Sequence, residues 1–172
     1  MKRHVVLIGL PGSGKTTVGR LVAEQLQGGF VDIDAVIVRR EGKPITMIFA
    51  ERGEPAFREL ERKEMETTLA GEPAIIASGG GWAAQPGAVD AARAYALVVY
   101  LRTRPDTAAR RTEGEGTRPL LMGEDPVERM RQLLKEREAA YLKADEKVDT
   151  DRATAAQVAT DVVRLAQTRA GW

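Results

Sequence analysis

The sequence predicts an α/β fold in three layers, with a mostly parallel five-stranded sheet between two layers of helices. Short apolar runs bounded by turn residues recur along the 172-residue chain and are typical of buried strands. Segments with helical periodicity lie between these runs, and strands that alternate with helices usually pair in parallel. Because 172 residues with 43% apolar side chains suit one well-packed core, we expect a single domain over residues 1–172.

The predicted elements follow one another along the chain. Strands are predicted at residues 5–8, 30–33, 74–77 and 97–101, with a weaker one at 147–149. Helices are predicted at residues 15–26, 35–40, 45–51, 55–69, 105–111, 126–143 and 153–168. In open parallel sheets ligands bind beyond the carboxyl ends of the strands, so the residues that follow each strand should share one crevice.

The first strand leads into a glycine-rich loop, because residues 9–16 read Gly-Leu-Pro-Gly-Ser-Gly-Lys-Thr. Glycines let backbone N–H groups curl around an anion, Lys15 places an ammonium on the outer phosphates, and Thr16 offers a hydroxyl to a magnesium ion. The helix that begins here adds unpaired N–H groups and the positive end of its dipole. The sequence therefore predicts a phosphate-binding loop.

The second and third strands end in polar or glycine residues. Asp32 and Asp34 follow the second strand, where we expect a catalytic or metal role and where Asp32 could hold water around magnesium. Helix capping is the alternative for both aspartates, and it suits Asp34 in particular. Ser78 and the glycines at 79–81 follow the third strand. Such a density of glycine beyond a buried strand indicates close approach of the backbone to a ligand, with a flexible turn as the alternative.

The helix predicted at 55–69 carries Arg58 and Glu61 three residues apart beside Phe57, which suits either an ion pair presented to a pocket or an ordinary surface pair. Residues 112–124 contain three glycines and few apolar residues, as expected of a mobile lid whose arginine closes over a transferring phosphate. The helix that starts at Pro126 then places Arg137 and Tyr141 on one face.

Composition excludes several classes of function. Lysine and arginine number 26 against 25 aspartates and glutamates, so we expect neither a nucleic-acid partner nor a membrane surface. The chain has no cysteine and a single histidine, so thiolate zinc sites and clusters of histidine ligands are excluded. We expect this histidine, His4, to have a structural role. No stretch reaches the length of a membrane span, and the first strand begins too early for a signal peptide, which predicts a soluble cytoplasmic protein. No long heptad pattern appears in the late helices, so we expect a monomer.

Taken together, these segments resemble the shikimate kinase family, part of the nucleoside-monophosphate-kinase-like group of P-loop proteins, over nearly the whole chain. The Asp-x-Asp, Phe-Arg-x-x-Glu, triple-glycine and Arg-Pro-Leu-Leu elements, in this order, are more specific than the phosphate loop alone. The resemblance rests on residues 9–16, Asp32-Ile33-Asp34, Ile48-Phe49, Gly53-Glu54, Phe57-Arg58-Glu59-Leu60-Glu61, Gly79-Gly80-Gly81, Arg118-Pro119-Leu120-Leu121, and Arg137 with Tyr141.

The resemblance implies transfer of the γ-phosphoryl group of ATP to the 3-hydroxyl of shikimate, with Mg²⁺ as cofactor and with Lys15, Asp34 and Arg118 as catalytic residues. It places Thr16 on the metal, and Asp32 on the metal through water. The implied ATP-binding residues are Gly12, Ser13, Gly14, Lys15, Thr16, Thr17, Arg110, Arg118 and Arg152. Arg110 and Arg152 match positions that border the adenine, where Arg111 and other nearby arginines could exchange roles with them. The implied shikimate-binding residues are Asp34, Phe49, Phe57, Arg58, Glu61, Gly79, Gly80, Gly81, Pro119, Leu120 and Arg137, of which the first five lie in a substrate-binding segment at 33–61.

Two other functions fit part of the pattern. A related small-molecule kinase acting on another hydroxy acid, such as gluconate, would share the phosphate loop, the sheet and an arginine clamp. A nucleotide-binding switch without catalysis would leave Asp34, Arg58 and Arg137 without a role. Trp82 departs from the family pattern, because small residues are usual directly after the glycines, and it could narrow the acceptor pocket or pack beside it.

Overall fold

A computed structural model describes residues 1–113 and 125–172 of the chain, which form a five-stranded sheet with helices on both faces. All strand pairs are parallel, and the strand order is β2-β3-β1-β4-β5. The elements are β1 (His4–Ile8), α1 (Lys15–Leu26), β2 (Gly29–Asp32), α2 (Ile33–Glu41), α3 (Ile45–Arg52), α4 (Glu54–Leu69), β3 (Ala74–Ala77), α5 (Ala88–Ala92), β4 (Ala96–Arg102), α6 (Pro105–Thr112), α7 (Pro126–Tyr141), β5 (Glu146–Asp149) and α8 (Ala155–Arg169). The predicted fold class is confirmed.

The central strand β1 is buried on both faces, and its alternating side chains enter two separate cores. Val6 and Ile8 pack in a core with α2 to α7, whereas Val5 and Leu7 pack in a core with α1 and α8. Val5 lies opposite Ile75 of β3 and Leu97 of β4, so the same face of three strands covers one core. Because both faces are covered, the strands read as continuous apolar runs.

The second strand ends one residue earlier than predicted, since Ile33 is the first residue of α2. Asp32 is the residue that caps this helix: its backbone is extended and its side chain accepts a hydrogen bond from the N–H of Ala35. Of the two aspartates for which capping is the alternative, Asp32 is the cap, and not Asp34 as the sequence favoured. Thr154 caps α8 with a capping box to Gln157. The helix therefore begins at Ala155, two residues after its predicted start at residue 153.

Two short helical segments between β3 and β4 were not predicted. They are a 3₁₀ turn at Trp82–Ala84 and the five-residue helix α5. Segments this short contain too few turns for apolar periodicity to stand out. The late helix α7 ends at Tyr141, two residues before its predicted end. None of the helices in the two described ranges combines the length and the apolar character needed to cross a bilayer.

The structural role expected for His4 has a specific form. Its Nδ1 accepts a hydrogen bond from the N–H of Ala74, 3.1 Å away, and its Nε2 lies 3.1 Å from the carbonyl oxygen of Leu69. Because an amide N–H can only donate, the proton of the neutral ring sits on Nε2 and is donated to Leu69. The ring therefore joins the start of β1 to the connection between α4 and β3.

Replacing His4 by leucine keeps an apolar side chain of similar size but leaves a buried N–H and a carbonyl without partners. We expect the free energy of unfolding to fall by about 2 kcal/mol. Urea denaturation followed by circular dichroism measures this loss. A loss below about 0.5 kcal/mol would contradict the assigned hydrogen bonds.

Candidate active site

The loop between β1 and α1 depends on glycine at several positions. Gly9 and Gly12 have φ angles of 151° and 81°, and a Cβ on Gly12 would lie 2.5 Å from the carbonyl oxygen of Ala108. Glycine is therefore required there both by backbone conformation and by packing. Gly14 is the N-cap of α1 and supplies no side-chain cap, and the N-terminus of a helix carries the positive end of the helix dipole, which favours an anion.

The side chain of Lys15 lies across this loop and is largely buried. Its ammonium donates hydrogen bonds to the carbonyl oxygens of Gly9 at 2.7 Å and Leu10 at 3.0 Å. The buried hydroxyl of Ser13, also in the loop, has no hydrogen-bond partner among residues 1–113 and 125–172. The loop thus combines a helix N-terminus, an ammonium and a hydroxyl in one place, as binding of a phosphate chain requires.

Next to the loop, Thr16 and Asp32 place two oxygen ligands side by side. The Thr16 hydroxyl donates a 2.8 Å hydrogen bond to Oδ2 of Asp32, whose other oxygen caps α2. Magnesium in nucleotide sites takes one or two protein oxygens and fills its remaining positions with phosphate and water. Within the described residues no group of three or more histidine, aspartate or glutamate side chains could hold a metal ion. Thr16 and Asp32 supply the one or two protein oxygens that such a magnesium ion takes.

The glycines after β3 pack against the charged side chains of Asp34, Arg58 and Glu61. A Cβ on Gly79 would overlap Oε2 of Glu61 and would lie 3.0 Å from Oδ1 of Asp34. A Cβ on Gly81 would overlap the guanidinium of Arg58. These glycines are therefore in close contact with side chains of α2 and α4, while their close approach to a ligand stays a prediction.

The pair formed by Arg58 and Glu61 is more buried than an ordinary surface pair. Glu61 has no exposed surface, and Nη1 of Arg58 donates to its two oxygens at 3.1 and 3.2 Å. Nη2 of Arg58 reaches Glu54 at 3.3 Å. Burial is the main cause that raises the pKa of Glu61 above its ordinary value of 4.5, and the negative charge of Asp34 adds to this, while Arg58 opposes it.

The raised pKa of Glu61 predicts the sign of a pH effect on stability. Between pH 4.5 and the raised pKa the folded protein binds more protons than the unfolded chain, so Glu61's contribution to the free energy of unfolding falls as pH rises. In Glu61→Gln this contribution is absent, so the stability of the wild type relative to the variant should decrease as pH rises.

Urea denaturation of both proteins across this pH range measures the difference. Glu66→Gln, which changes an exposed glutamate of the same helix, is the matched control. A stability difference between wild type and Glu61→Gln that is constant, or that grows in favour of the wild type with rising pH, would contradict the raised pKa.

Helix α7 reaches the same glycines from the other side. Arg137 donates to the carbonyl oxygen of Gly80 through Nη1 at 2.9 Å, and the Tyr141 hydroxyl donates to the same oxygen at 3.2 Å. Burial raises the pKa of Tyr141, so its hydroxyl stays protonated and able to donate. Gly80 also lies beside the phosphate loop, because a Cβ there would be 3.6 Å from Cγ of Pro11. Pro11 of the phosphate loop and the charged side chains of Arg58, Glu61 and Arg137 are therefore neighbours of the same three glycines.

Two phenylalanines next to these charges provide an apolar wall. The rings of Phe49 and Phe57 have centroids 5.0 Å apart, and the guanidinium carbon of Arg58 lies 5.6 Å from the Phe57 ring centroid.

Trp82 has different surroundings from these two phenylalanines. It is buried in the core and lines an apolar groove of about 430 Å³ together with Met65 and Leu69. Trp82 could narrow the predicted acceptor pocket or pack beside it, and its place in this groove favours packing beside the pocket.

The arginines expected near the nucleotide base differ in their contacts. Arg110 is exposed at the end of α6, while Arg111 donates to the carbonyl oxygen of Thr150 at 3.0 Å and lies 3.5 Å from that of Gly12. Arg152 lines a cavity of about 550 Å³ at the carboxyl ends of β4 and β5. Arg110 and Arg152 were predicted there with Arg111 as a possible replacement, and of these three described residues Arg111 is the one with a hydrogen bond to the phosphate loop. Arg118, Pro119 and Leu120 lie outside the described residues, as does the predicted lid apart from its first two residues.

One residue of the site has no sequence signal. The side-chain amide of Gln85 donates to the carbonyl oxygen of Arg58 at 3.2 Å and to Oε1 of Glu61 at 3.1 Å. It stands 24 residues from Glu61 and directly after the unpredicted 3₁₀ turn, so its contact depends on tertiary structure.

The chain is similar to known proteins over most of its length. The shikimate kinase family profile matches residues 11–167. The chain is 42% identical over 162 residues to a shikimate kinase of Moorella thermoacetica, covering 94% of this chain and 93% of that protein. A shikimate kinase from Acinetobacter baumannii, solved in complex with shikimate, matches with a TM-score of 0.93 and 33% identity over 98% of this chain and 94% of that one.

A gluconokinase from Sinorhizobium meliloti 1021 matches less well, with a TM-score of 0.62 and 19% identity over 99% of this chain and 94% of that one. This likeness shows a shared fold alone. The family profile and the curated relative both point away from a gluconate-like kinase. The chain belongs to the shikimate kinase family.

Proposed function

We propose that this protein transfers the γ-phosphoryl group of ATP to the 3-hydroxyl of shikimate, giving ADP and shikimate 3-phosphate in the biosynthesis of chorismate and the aromatic amino acids. The observation that carries the proposal is the contact between the glycines after β3 and two groups of side chains. Asp34, Glu61 and Arg58 pack on one side of these glycines, and Arg137 reaches Gly80 from the other. The phosphate loop lies beside the same glycines.

The acceptor side of the site suits a small ring that carries hydroxyls and one carboxylate. The guanidinium groups of Arg58 and Arg137 would clamp the carboxylate, since the planar fork of arginine matches a carboxylate in geometry and charge. Asp34 would accept a hydrogen bond from a ring hydroxyl. Phe49 and Phe57 would cover the apolar part of the ring. The remaining walls would be Glu61, Gly79, Gly80, Gly81, Pro119 and Leu120.

The phosphate side of the site is suited to ATP. Backbone N–H groups of residues 12–17 and the Lys15 ammonium would hold the phosphates, with Arg110, Arg118 and Arg152 as further nucleotide contacts. Thr16, and Asp32 through water, would hold magnesium, which neutralises phosphate charge when it is bound. We take the working unit to be a monomer in the cytoplasm.

The reaction is an in-line displacement at phosphorus. The 3-hydroxyl oxygen forms a bond to the γ-phosphorus as the bond to the β,γ-bridging oxygen breaks, and the hydroxyl proton passes to Asp34. Lys15 and Arg118 neutralise charge on the equatorial oxygens, while the acceptor residues keep the hydroxyl aligned. In a loose transition state, positioning contributes more to the rate than removal of the proton.

Arg118 is expected to act mainly on turnover. Arg118→Ala should lower kcat by about 100-fold, because one donor to the transferring phosphoryl group is lost, while KM for shikimate stays within about threefold. Steady-state kinetics measures both constants, and Arg131→Ala on the exposed face of α7 is the matched control. If Arg118→Ala keeps the kcat of the wild type, Arg118 has no part in the transfer.

The proposal is tested by coupled ADP detection with a panel of hydroxy acids. ADP formation should depend on shikimate and should be much slower with gluconate. Equal rates with gluconate and shikimate would remove the claim to shikimate specificity. ADP formation that no acceptor accelerates, together with nucleotide binding, would favour a switch over a kinase.

A further inference from the structure

The backbone N–H and carbonyl of Gln85 are both hydrogen-bonded, and its side chain reaches the ion pair of Arg58 and Glu61. Its N–H donates to the carbonyl oxygen of Trp82 at 3.0 Å, and its own carbonyl accepts from the N–H of Ala88 at 3.1 Å. The half-buried side chain then donates to the carbonyl oxygen of Arg58 and to Oε1 of Glu61. One amide group therefore contacts both members of the ion pair.

Glu61 needs such a donor because its carboxylate is fully buried and faces another acid. The charged and titratable groups around it are Arg58 on its own helix, Asp34 on α2 and the Tyr141 hydroxyl on α7. A buried carboxylate remains charged only where cations or hydrogen-bond donors compensate for lost water. Arg58 serves both oxygens through one nitrogen, and its other terminal nitrogen is bonded to Glu54.

Binding of the acceptor changes this balance. In the proposed function, Arg58 turns part of its hydrogen-bonding capacity to the carboxylate of shikimate, which weakens the donor set of Glu61. The amide of Gln85 is neutral and is not attracted to an incoming carboxylate, so it can stay on Glu61. We propose that Gln85 is a positioning residue that keeps Glu61 ionised and fixed, so that Arg58 is presented to the carboxylate of the acceptor.

This inference rests on the proposed function for its kinetic consequence but not for its effect on Glu61. The hydrogen bond from Gln85 opposes the burial that raises the pKa of Glu61. Removing the amide should therefore raise that pKa further, whatever the acceptor is. The two consequences can be measured separately.

The test compares Gln85→Leu with Gln132→Leu. Gln132 is exposed on α7 and donates a 2.9 Å hydrogen bond to Glu136, so its variant also breaks a glutamine–glutamate bond, but away from the site. Gln85→Leu should raise KM for shikimate by about tenfold, as expected for a lost hydrogen bond to a charged group, with kcat and KM for ATP changed by less than about threefold. Gln132→Leu should leave all three constants near their wild-type values.

The charge of Glu61 is followed by NMR of the side-chain carboxyl carbons, with its signal assigned by its loss in Glu61→Gln. The titration midpoint of this signal should move to higher pH in Gln85→Leu. Gln85→Glu keeps the size of the side chain but adds a second acid, and it should also move the midpoint to higher pH.

Three outcomes would overturn the inference: an unchanged midpoint in both Gln85 variants, an unchanged KM for shikimate, or a parallel rise in the two KM values. The last of these would indicate general loss of structure. If the wild type fails to phosphorylate shikimate at all, the proposed function falls, and the NMR midpoint alone then supports or overturns the role of Gln85.

Discussion

Replacing Lys15 by methionine is expected to lower kcat by about a thousandfold, the largest effect of any single change. The Lys15 ammonium is held over the phosphate loop by the carbonyl oxygens of Gly9 and Leu10, so its position is fixed before a nucleotide arrives. A charge that is fixed in a buried place interacts strongly with charge that develops in the transition state. Methionine has a similar length but supplies no donor and no charge.

Single-turnover measurement of ADP formation separates this loss from a loss of ATP binding. Lys135→Met, which changes an exposed lysine of α7, is the control and should keep wild-type turnover. Thermal unfolding checks that the variant is folded, since two loop carbonyls lose a donor. Should folded Lys15→Met keep more than about a tenth of wild-type kcat, the phosphate loop does not act as described.

Asp34→Asn is expected to lower kcat/KM for shikimate by about 100-fold while KM for ATP stays within about threefold. The carboxylate lies against Gly79 beside Glu61, where it can orient a hydroxyl and take its proton. Asparagine keeps the shape but cannot accept the proton. The negative charge of Asp34 also raises the pKa of Glu61, so the substitution should lower that pKa.

Asp90→Asn, at the exposed start of α5, is the matched control and should leave kcat/KM unchanged. The kinetics are measured with saturating ATP and variable shikimate, and then with the roles exchanged. A loss that appears equally in KM for ATP would show that Asp34 acts on the whole site and not on the acceptor alone.

The fold was predictable because its signals are local. Strands β1, β3 and β4 are built on continuous apolar runs, and the phosphate loop marks the junction of β1 and α1 by its glycines and Lys15. The five-residue α5 was missed because it is too short to show helical periodicity. The end of β2 was misplaced because Ile33 is apolar in either element, and the cap formed by Asp32 depends on a hydrogen bond that the sequence alone does not reveal.

The site was predictable where strand ends bring residues together. The carboxyl ends of parallel strands meet at one edge of the sheet, which is why Asp34 and Gly79 could be placed near the phosphate loop. The contacts of Gln85 and Arg111 were not predictable in this way, because they depend on how a turn and a helix pack in three dimensions. The role of Arg118 stays a prediction from the family resemblance.

The central claim is that the phosphate loop and the acceptor residues Asp34, Arg58 and Arg137 together transfer a phosphoryl group from ATP to one hydroxyl of shikimate. Phosphorus and carbon NMR of the products, after incubation of the protein with ATP, magnesium and shikimate, tests this claim most directly. We predict one phosphate ester on the 3-hydroxyl in equal amount to ADP. Inorganic phosphate without any ester, or an ester on a different hydroxyl, would contradict it.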